Sequence, residues 1–249
     1  EMAITIKTEE QIEKMRVAGK ILVDLDEILR EHIKPGVTTL ELDTIAEKFI
    51  RGRGAVPSFK GYGGFPGSIC TSVNEVIVHG IPGRLRLKEG DIISIDMGSL
   101  IDGFNGDCAR TYGVGEISPE NQRLIDVTKQ SFFEGIKFAK AGCHLFDISA
   151  AVQEYVEANG FGVVRDYVGH GIGRHMHEDP AVPNYRQRGR GPKLLKGMCL
   201  AIEPMVTAGT YELKVLDDEW TAVTLDGKNA AHYENTVYIT DGEPEILTL

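Results

Sequence analysis

Apolar residues recur at helical spacing early in the chain, with Ile12, Met15, Leu22, Leu25 and Leu29 on one face. Thr8-Glu-Glu-Gln11 is a capping box that predicts the start of this helix, and Pro35-Gly36 stops it. Thr38-x-x-Glu41 opens a second helix with Leu42, Ile45, Ala46 and Phe49 on one face, ended by Gly52 and Gly54. The pattern then breaks into a glycine and aromatic loop, Gly61-Tyr62-Gly63-Gly64-Phe65-Pro66-Gly67. Short β-branched runs predict strands over 69–73 and 76–78, followed by His79-Gly80-Ile81-Pro82-Gly83. A buried strand with Ile92, Ile93 and Ile95 leaves Gly90 and is predicted to end at Asp96. Ser118 as N-cap and Pro119 at the first helical position start a third helix, expected to reach about residue 140. A fourth is expected over 145–159, closed by Gly160, and strands over 162–167, 199–202, 221–225 and 236–240. The stretch 183–192, with Arg186, Arg188 and Arg190 among glycines, reads as an exposed loop.

Asp96 is an odd end for an apolar strand, and a second acid, Asp107, follows a Gly/Asn-rich turn. If Gly103-Phe104-Asn105-Gly106 returns the chain antiparallel, the two carboxylates face each other across neighbouring strands. They would then raise one another's pKa unless they share a proton or bind a cation. Taken alone, the pair reads better as two loop aspartates in water.

The halves of the chain echo each other. Lys34-Pro-Gly36 matches Lys140-Ala-Gly142, and Leu87-Lys-Glu-Gly90-Asp-Ile-Ile-Ser-Ile-Asp96 matches Leu194-Leu-Lys-Gly197-Met-Cys-Leu-Ala-Ile-Glu203, at nearly the same offset. This predicts one domain, 1–249, built by internal duplication from halves of roughly 1–112 and 113–249. It also pairs Asp96 with Glu203, an acid at the end of an apolar strand in both halves.

Composition narrows the class. The 249 residues are 42% hydrophobic and 26% charged, ordinary for a soluble globular chain. A net charge of -10 without a basic run argues against nucleic acid or an anionic membrane as the main partner. No apolar stretch approaches the roughly 20 residues that span a bilayer. The first residues lack the apolar core of a signal peptide. Cys70, Cys108, Cys143 and Cys199 are scattered without a C-x-x-C, so neither a zinc–thiolate site nor a disulfide framework is expected. A cytoplasmic location fits these features.

Glu234 leads into the strand expected over 236–240, and His170 lies in Val168-Gly-His-Gly-Ile-Gly173, where glycines let backbone approach closely. Asp96, Asp107, Glu203 and Glu234 would be costly beside buried strands unless paired, and two divalent cations would neutralise all four. Oxygen donors with one imidazole suit Mn2+, Fe2+, Co2+ or Zn2+. Two such ions about 3.5–4 Å apart can hold and activate a hydroxide for attack on a carbonyl or phosphoryl centre.

The ordered set Asp96, Asp107, His170, Glu203 and Glu234 resembles that of the dinuclear metallopeptidases of the pita-bread fold. Phe59-Lys-Gly-Tyr62, Asn74-Glu-Val-Ile-Val-His79-Gly-Ile-Pro82, Gly169-His-Gly-Ile-Gly173, His177-Glu-Asp-Pro180 and Ala201-Ile-Glu-Pro204 are similar to the motifs of the methionine aminopeptidase family, over nearly the whole chain. The short stretch between His170 and Glu203 fits the bacterial-type type I members, without the helical insert of type II. By this resemblance the zinc-binding N-terminal extension of eukaryotic cytosolic forms is not expected.

The resemblance implies an α+β pita-bread fold: a curved antiparallel sheet, helices on its outer face, and two pseudo-symmetric halves. It implies hydrolytic removal of initiator methionine from nascent proteins, with a small second residue preferred. Asp107 and Glu234 would bridge two metals, Asp96 would chelate one, and His170 and Glu203 would complete the other. Glu203 would also take a proton from the attacking water and pass it toward the leaving amine. His79 would contact the peptide nitrogen and His177 the carbonyl oxygen. Tyr62, Phe65, Cys70 and Trp220 would line the methionine pocket, bordered by His79. Met176 stands where many bacterial relatives carry phenylalanine, and Gly63 where some carry histidine. Asn74 and Val76 match positions around a monovalent cation in some relatives, and the ribosome is a possible partner. His232 shares the face of Glu234 in a strand, which makes it a candidate neighbour of the site. His32, His144 and His175 read as surface or structural. Alternative readings are a proline-directed peptidase using the same ligands, a non-catalytic binding protein on this fold, and a metallophosphoesterase.

Overall fold

Capping chemistry sets the first two helices of the computed structural model, which describes residues 3–249. Helix α1 (Glu9–His32) starts where Gln11 N–H donates to Thr8 Oγ1 and Thr8 N–H donates to the Gln11 side chain. Helix α2 (Thr39–Gly52) repeats the arrangement with Thr38 and Glu41. Each such cap is worth about 1 kcal/mol. Strands β1 (Val56–Pro57), β2 (Ile69–Val73), β3 (Val76–Val78), β4 (Ile92–Ile101) and β5 (Phe104–Gly113) complete the first half.

The second half holds α3 (Pro119–Ile136) and α4 (Leu145–Ala158). Its strands are β6 (Gly162–Val163), β7 (Gly169–Gly171), β8 (Glu178–Val182), β9 (Cys199–Ile202), β10 (Met205–Thr207), β11 (Leu213–Val215), β12 (Ala222–Thr224), β13 (Ala230–His232), β14 (Asn235–Tyr238) and β15 (Glu245–Ile246).

Among the described residues every strand pairing is antiparallel, but the expected single sheet is divided into four. β4 carries β1, β2 and β5; a second sheet runs β15-β14-β9-β7-β8; two smaller ones run β13-β10-β6 and β11-β12-β3. β3 and β12 come from opposite halves, so one small sheet is shared between them. The larger two meet where Ala109 and Glu234 exchange backbone hydrogen bonds of 3.2 and 3.0 Å. α1 and α2 cover the first sheet through Leu22, Leu25, Leu42 and Ile50, while α3 and α4 cover the β13-β10-β6 sheet and the adjoining second sheet through Leu124, Phe132, Ile148 and Val152.

The β4–β5 hairpin differs from expectation in two ways. β4 does not end at Asp96; it continues to Ile101, and Asp102-Gly103 makes the turn with φ of 50° and 79°. Two central residues at positive φ give the hairpin turn whose twist matches its strands. Phe104, Asn105 and Gly106 are therefore strand. The register opposes Asp96 to Ala109 and Asp107 to Gly98, so the two acids are diagonal neighbours on one face. A methyl group and a hydrogen across from them leave the space that lets carboxylates stand mid-strand.

Two other spans are shorter than predicted. α3 ends at Ile136 because its last turn tightens, with Phe138 N–H on Gly135 O and Ala139 N–H on Ile136 O, which places Ala139 in the core. The strand expected over 162–167 shrinks to β6, and Tyr167 and Val168 turn into a cavity wall.

The buried Lys7 Nζ lies 2.7 Å from Glu178 Oε2, and His175 N–H donates to the other oxygen at 3.2 Å. This ties the segment before α1 to the loop that carries His177. Burial pushes the Glu178 carboxyl upward, but the hydrogen bonds from Lys7 and Thr5 outweigh it and hold the pKa below its usual value. A depressed folded pKa gives stability that is present above the unfolded value and lost as pH falls through the folded one. Lys7→Met is expected to cost about 3–5 kcal/mol near neutral pH by orphaning a buried carboxylate. Urea melts at several pH values should show that deficit shrinking toward pH 4, as the orphaned group protonates.

Candidate metal centre and substrate cleft

Five elements deliver the site. Asp96 and Asp107 stand on β4 and β5, His170 is the middle residue of β7, Glu203 directly follows β9, and Glu234 directly precedes β14. His170 reaches its place because Gly169 and Gly171 carry no side chains. A Cβ at Gly169 would lie 2.3 Å from Ala201 O, and one at Gly171 2.3 Å from Asp179 O. His170 Nδ1 is 2.9 Å from Gly171 O, a pure acceptor, so Nδ1 carries the hydrogen and Nε2 is free to bind. Nε2 then lies 3.5 Å from Asp107 Oδ2 and 3.5 Å from Glu203 Oε1.

Donor atoms of Asp107, His170 and Glu234 fall within 4.8 Å of one another, as do those of Glu203, His232 and Glu234. Main-chain contacts hold this geometry. Thr236 Oγ1 donates to Asp107 O at 2.8 Å, Asp107 N–H donates back at 3.1 Å, and Arg110 donates to Glu234 O.

The cluster needs a cation. Asp96 Oδ1, Asp107 Oδ1 and both Glu234 carboxylate oxygens are buried without a hydrogen-bond partner. Such orphaned lone pairs are expensive unless something positive satisfies them. Burial first, and then the neighbouring carboxylates, push the pKa values of Asp96 and Glu234 well above the usual carboxylate range. No lysine or arginine is among the described residues that line the cleft. Carboxylate oxygens with imidazole nitrogen fit Mn2+, Fe2+, Co2+ or Zn2+. Adding Mn2+ to chelator-treated protein at a hundredfold excess over its Kd should therefore stabilise the fold by about 2.7 kcal/mol. Calorimetric melts with and without the ion check this, and an unchanged Tm would deny the site its cation.

A cavity of about 160 Å³ opens above the acids. Tyr62, Phe65, Cys70, Trp220, His79 and His177 line it, together with Asp96, Asp107, His170 and Glu203. The structure thus brings four of the five expected ligands, both histidines and the four pocket residues to one cleft; Glu234 and His232 are buried beside it, and Asn74 and Val76 line a separate depression. Phe59, Val78, Tyr167, Val168, Met176 and Met205 also form walls. Tyr167 was hidden by the strand expected over 162–167, although it directly precedes the Val168-Gly-His motif. Met176 is 5% exposed and packs with Phe59, Phe65 and Cys70. Gly63 has φ 57°, and a Cβ there would lie 3.3 Å from the Trp220 ring, so a side chain would press on the cleft wall. Burial, followed by the charge of Asp96, pushes the Cys70 thiol well up, and it stays a neutral surface.

His79 sits at φ 61°, a backbone region that costs a non-glycine residue about 1 kcal/mol or more. It packs edge-on against Tyr167 and Trp220, at 5.1 and 6.2 Å between ring centres. His177 Nδ1 lies 2.9 Å from the Tyr62 hydroxyl, and its ring centre is 4.2 Å from that of His170. Burial lowers the pKa of both His79 and His177, with His170 adding to the effect on His177, so both are neutral near pH 7.

Fold and site together define a metal-dependent peptidase of the pita-bread type. The chain belongs to metallopeptidase family M24, whose model matches residues 13–241. The methionine aminopeptidase of Clostridium acetobutylicum is 61% identical over 247 residues, 99% of each chain. The crystal structure of the methionine aminopeptidase of Thermotoga maritima superposes with a TM-score of 0.97 at 47% identity, covering 99% of each chain. The prolidase of Pyrococcus furiosus reaches 0.79 at 24% identity over 98% of this chain and 65% of its own, a likeness of fold alone. Among the described residues no helix is long and apolar enough to cross a membrane.

Proposed function

We propose that this site removes the N-terminal methionine from newly made proteins and peptides, with a small second residue preferred. The observation that carries the reading is a cluster of orphaned carboxylate oxygens at the foot of a cavity walled by Tyr62, Phe65, Cys70, Met176 and Trp220. An unbranched, polarisable thioether suits walls of this kind. The reading takes the chain as one catalytic domain, 1–249, of two related halves.

Asp107 and Glu234 would hold two divalent ions between them, with Asp96 on one and His170 and Glu203 on the other. Bound there, the ions would supply Lewis-acid charge and make water acidic enough to attack near neutral pH. The Glu203 carboxylate would hold the proton given up by that water and return it at the leaving nitrogen. Tyr62 donating to His177 Nδ1 leaves Nε2–H as the donor for the substrate carbonyl oxygen, where negative charge develops. A neutral His79 would accept from the scissile peptide nitrogen. The free α-amine would sit among the carboxylates, which limits cleavage to the first bond. A monovalent cation near Asn74 belongs to the same reading. The Asn74 side chain is committed to Asp91 and to Ile92 N–H, so main-chain carbonyls would supply the ligands. The substrates would be nascent chains at the ribosome in the cytoplasm.

Release of methionine from Met-Ala-Ser, compared with cleavage of an Ala-Pro peptide under Mn2+, Co2+, Fe2+ and Zn2+, tests the reading. Rapid cleavage of the proline peptide with no methionine release would sink it. Tyr62→Phe should lower kcat by roughly 2- to 12-fold, the worth of one neutral hydrogen bond. Steady-state kinetics on the methionyl peptide measures this.

A further inference from the structure

The two oxygens of Glu203 face different neighbours. Oε1 lies 3.5 Å from His170 Nε2, on the side of the acid cluster. Oε2 lies 3.1 Å from His232 Nε2. His232 is 1% exposed, and its backbone is anchored twice to one hydroxyl. Its N–H donates to Thr111 Oγ1 at 3.0 Å, and Thr111 Oγ1 lies 2.8 Å from its carbonyl. Thr111 Oγ1 is in turn 2.8 Å from Ser94 Oγ, which ties His232 to both strands of the β4–β5 hairpin. On the other side, Asn184 Nδ2 donates to Glu203 O at 3.1 Å. Glu203 is therefore gripped at its backbone by one residue and at its carboxylate by another.

We propose that His232 is a positioning residue for Glu203. Its Nε2–H donates to Oε2, stops the carboxylate from rotating, and leaves Oε1 as the oxygen presented to the metals and to the attacking water. The imidazole is close enough to Glu203 and Glu234 for the three to surround an ion. However, a ring nitrogen has one in-plane direction, and here Oε2 lies along it. Spending that direction on Oε2 makes His232 a donor to a ligand rather than a ligand itself. Donors that orient metal-binding side chains typically govern metal affinity or activity by about 10- to 100-fold.

The inference rests on Glu203 being a metal ligand, as the proposed function has it. The test compares wild type with His232→Leu, which removes the donor, and His232→Gln, which keeps an N–H donor on a side chain of similar reach. Metal-free protein is titrated with Co2+ by calorimetry and visible absorption, and kcat and KM are measured on Met-Ala-Ser. His232→Leu is expected to weaken one Co2+ equivalent by about 10- to 100-fold and to alter the Co2+ absorption band. It should also lower kcat with KM little changed, while His232→Gln recovers most of each loss. Should the leucine variant fail to fold, His232→Asn, too short to reach Glu203, takes its place. Wild-type affinity and spectrum in the donor-less variant would overturn the proposal, as would equal impairment in the glutamine variant. Loss of a whole Co2+ equivalent in His232→Gln would make the imidazole a ligand and overturn it as well. The Co2+ titration decides the matter even if the wild type releases no methionine, so failure of the proposed reaction is distinguishable from failure of the clamp.

Discussion

Asp107→Ala is expected to abolish methionine release and to remove at least one of the two divalent ions proposed for the site. Asp107 is 4% exposed, its donor atoms lie within 4.8 Å of those of His170 and Glu234, and one of its oxygens is buried without a hydrogen-bond partner. In the proposed assignment Asp107 is a bridge, so removing it would take a ligand from both ions together. The loss in kcat/KM should be on the order of 10⁴-fold or more, the scale seen when one member of an interdependent catalytic set is deleted. Elemental analysis and peptide kinetics give the two readouts, and a melt in chelator supplies the control. Without metals, the variant should be at least as stable as wild type, because one of several crowded carboxylates is gone. Full activity would refute the bridging assignment.

His177→Ala should behave differently. Its Nε2–H is the proposed donor to the carbonyl oxygen, and removing one such donor costs about 10²- to 10³-fold in kcat. Because His177 binds no metal in this reading, the ion content should stay at the wild-type value and KM should move little. His79→Ala should likewise lower turnover while metal stays bound. A rise in KM at unchanged kcat would show uniform binding instead and would remove His177 from the oxyanion role. Loss of metal would remove it equally, by making the residue part of the centre.

Much of the architecture was legible from local chemistry. Thr8, Thr38 and Ser118 mark three helix starts because a capping side chain must sit at a fixed offset from the N–H it satisfies. The apolar runs at β2 and β9 are long enough for composition to define them, and the run of β-branched Val76, Ile77 and Val78 marks β3 despite its three residues. What stayed hidden depends on partners distant in sequence. Asp96 reads as a strand end because a buried acid is costly, and only the register reveals Ala109 and Gly98 across from the acids. β7, β10 and β13 are three residues each, below the length at which alternation can be seen, and exist because neighbouring strands pair with them. Met205 reaches the cleft through those pairings, so no local pattern points to it, whereas Tyr167 stands beside the Val168-Gly-His motif and is hidden by the strand expected over 162–167. His232 was placed beside Glu234 by strand alternation, but its contact with Glu203 requires β13 and β10 to lie side by side.

The seam at Ala109 and Glu234 also bears on the birth of the molecule. The first half holds only Asp96 and Asp107, and Glu234 is the last of the five proposed ligands to be synthesised. A partly translated copy would expose two, three or four of them, too few to assemble the full pair of ions. Such a chain would remain catalytically silent, unable to trim its neighbours or itself, until nearly its whole length had emerged and its two halves had closed on each other.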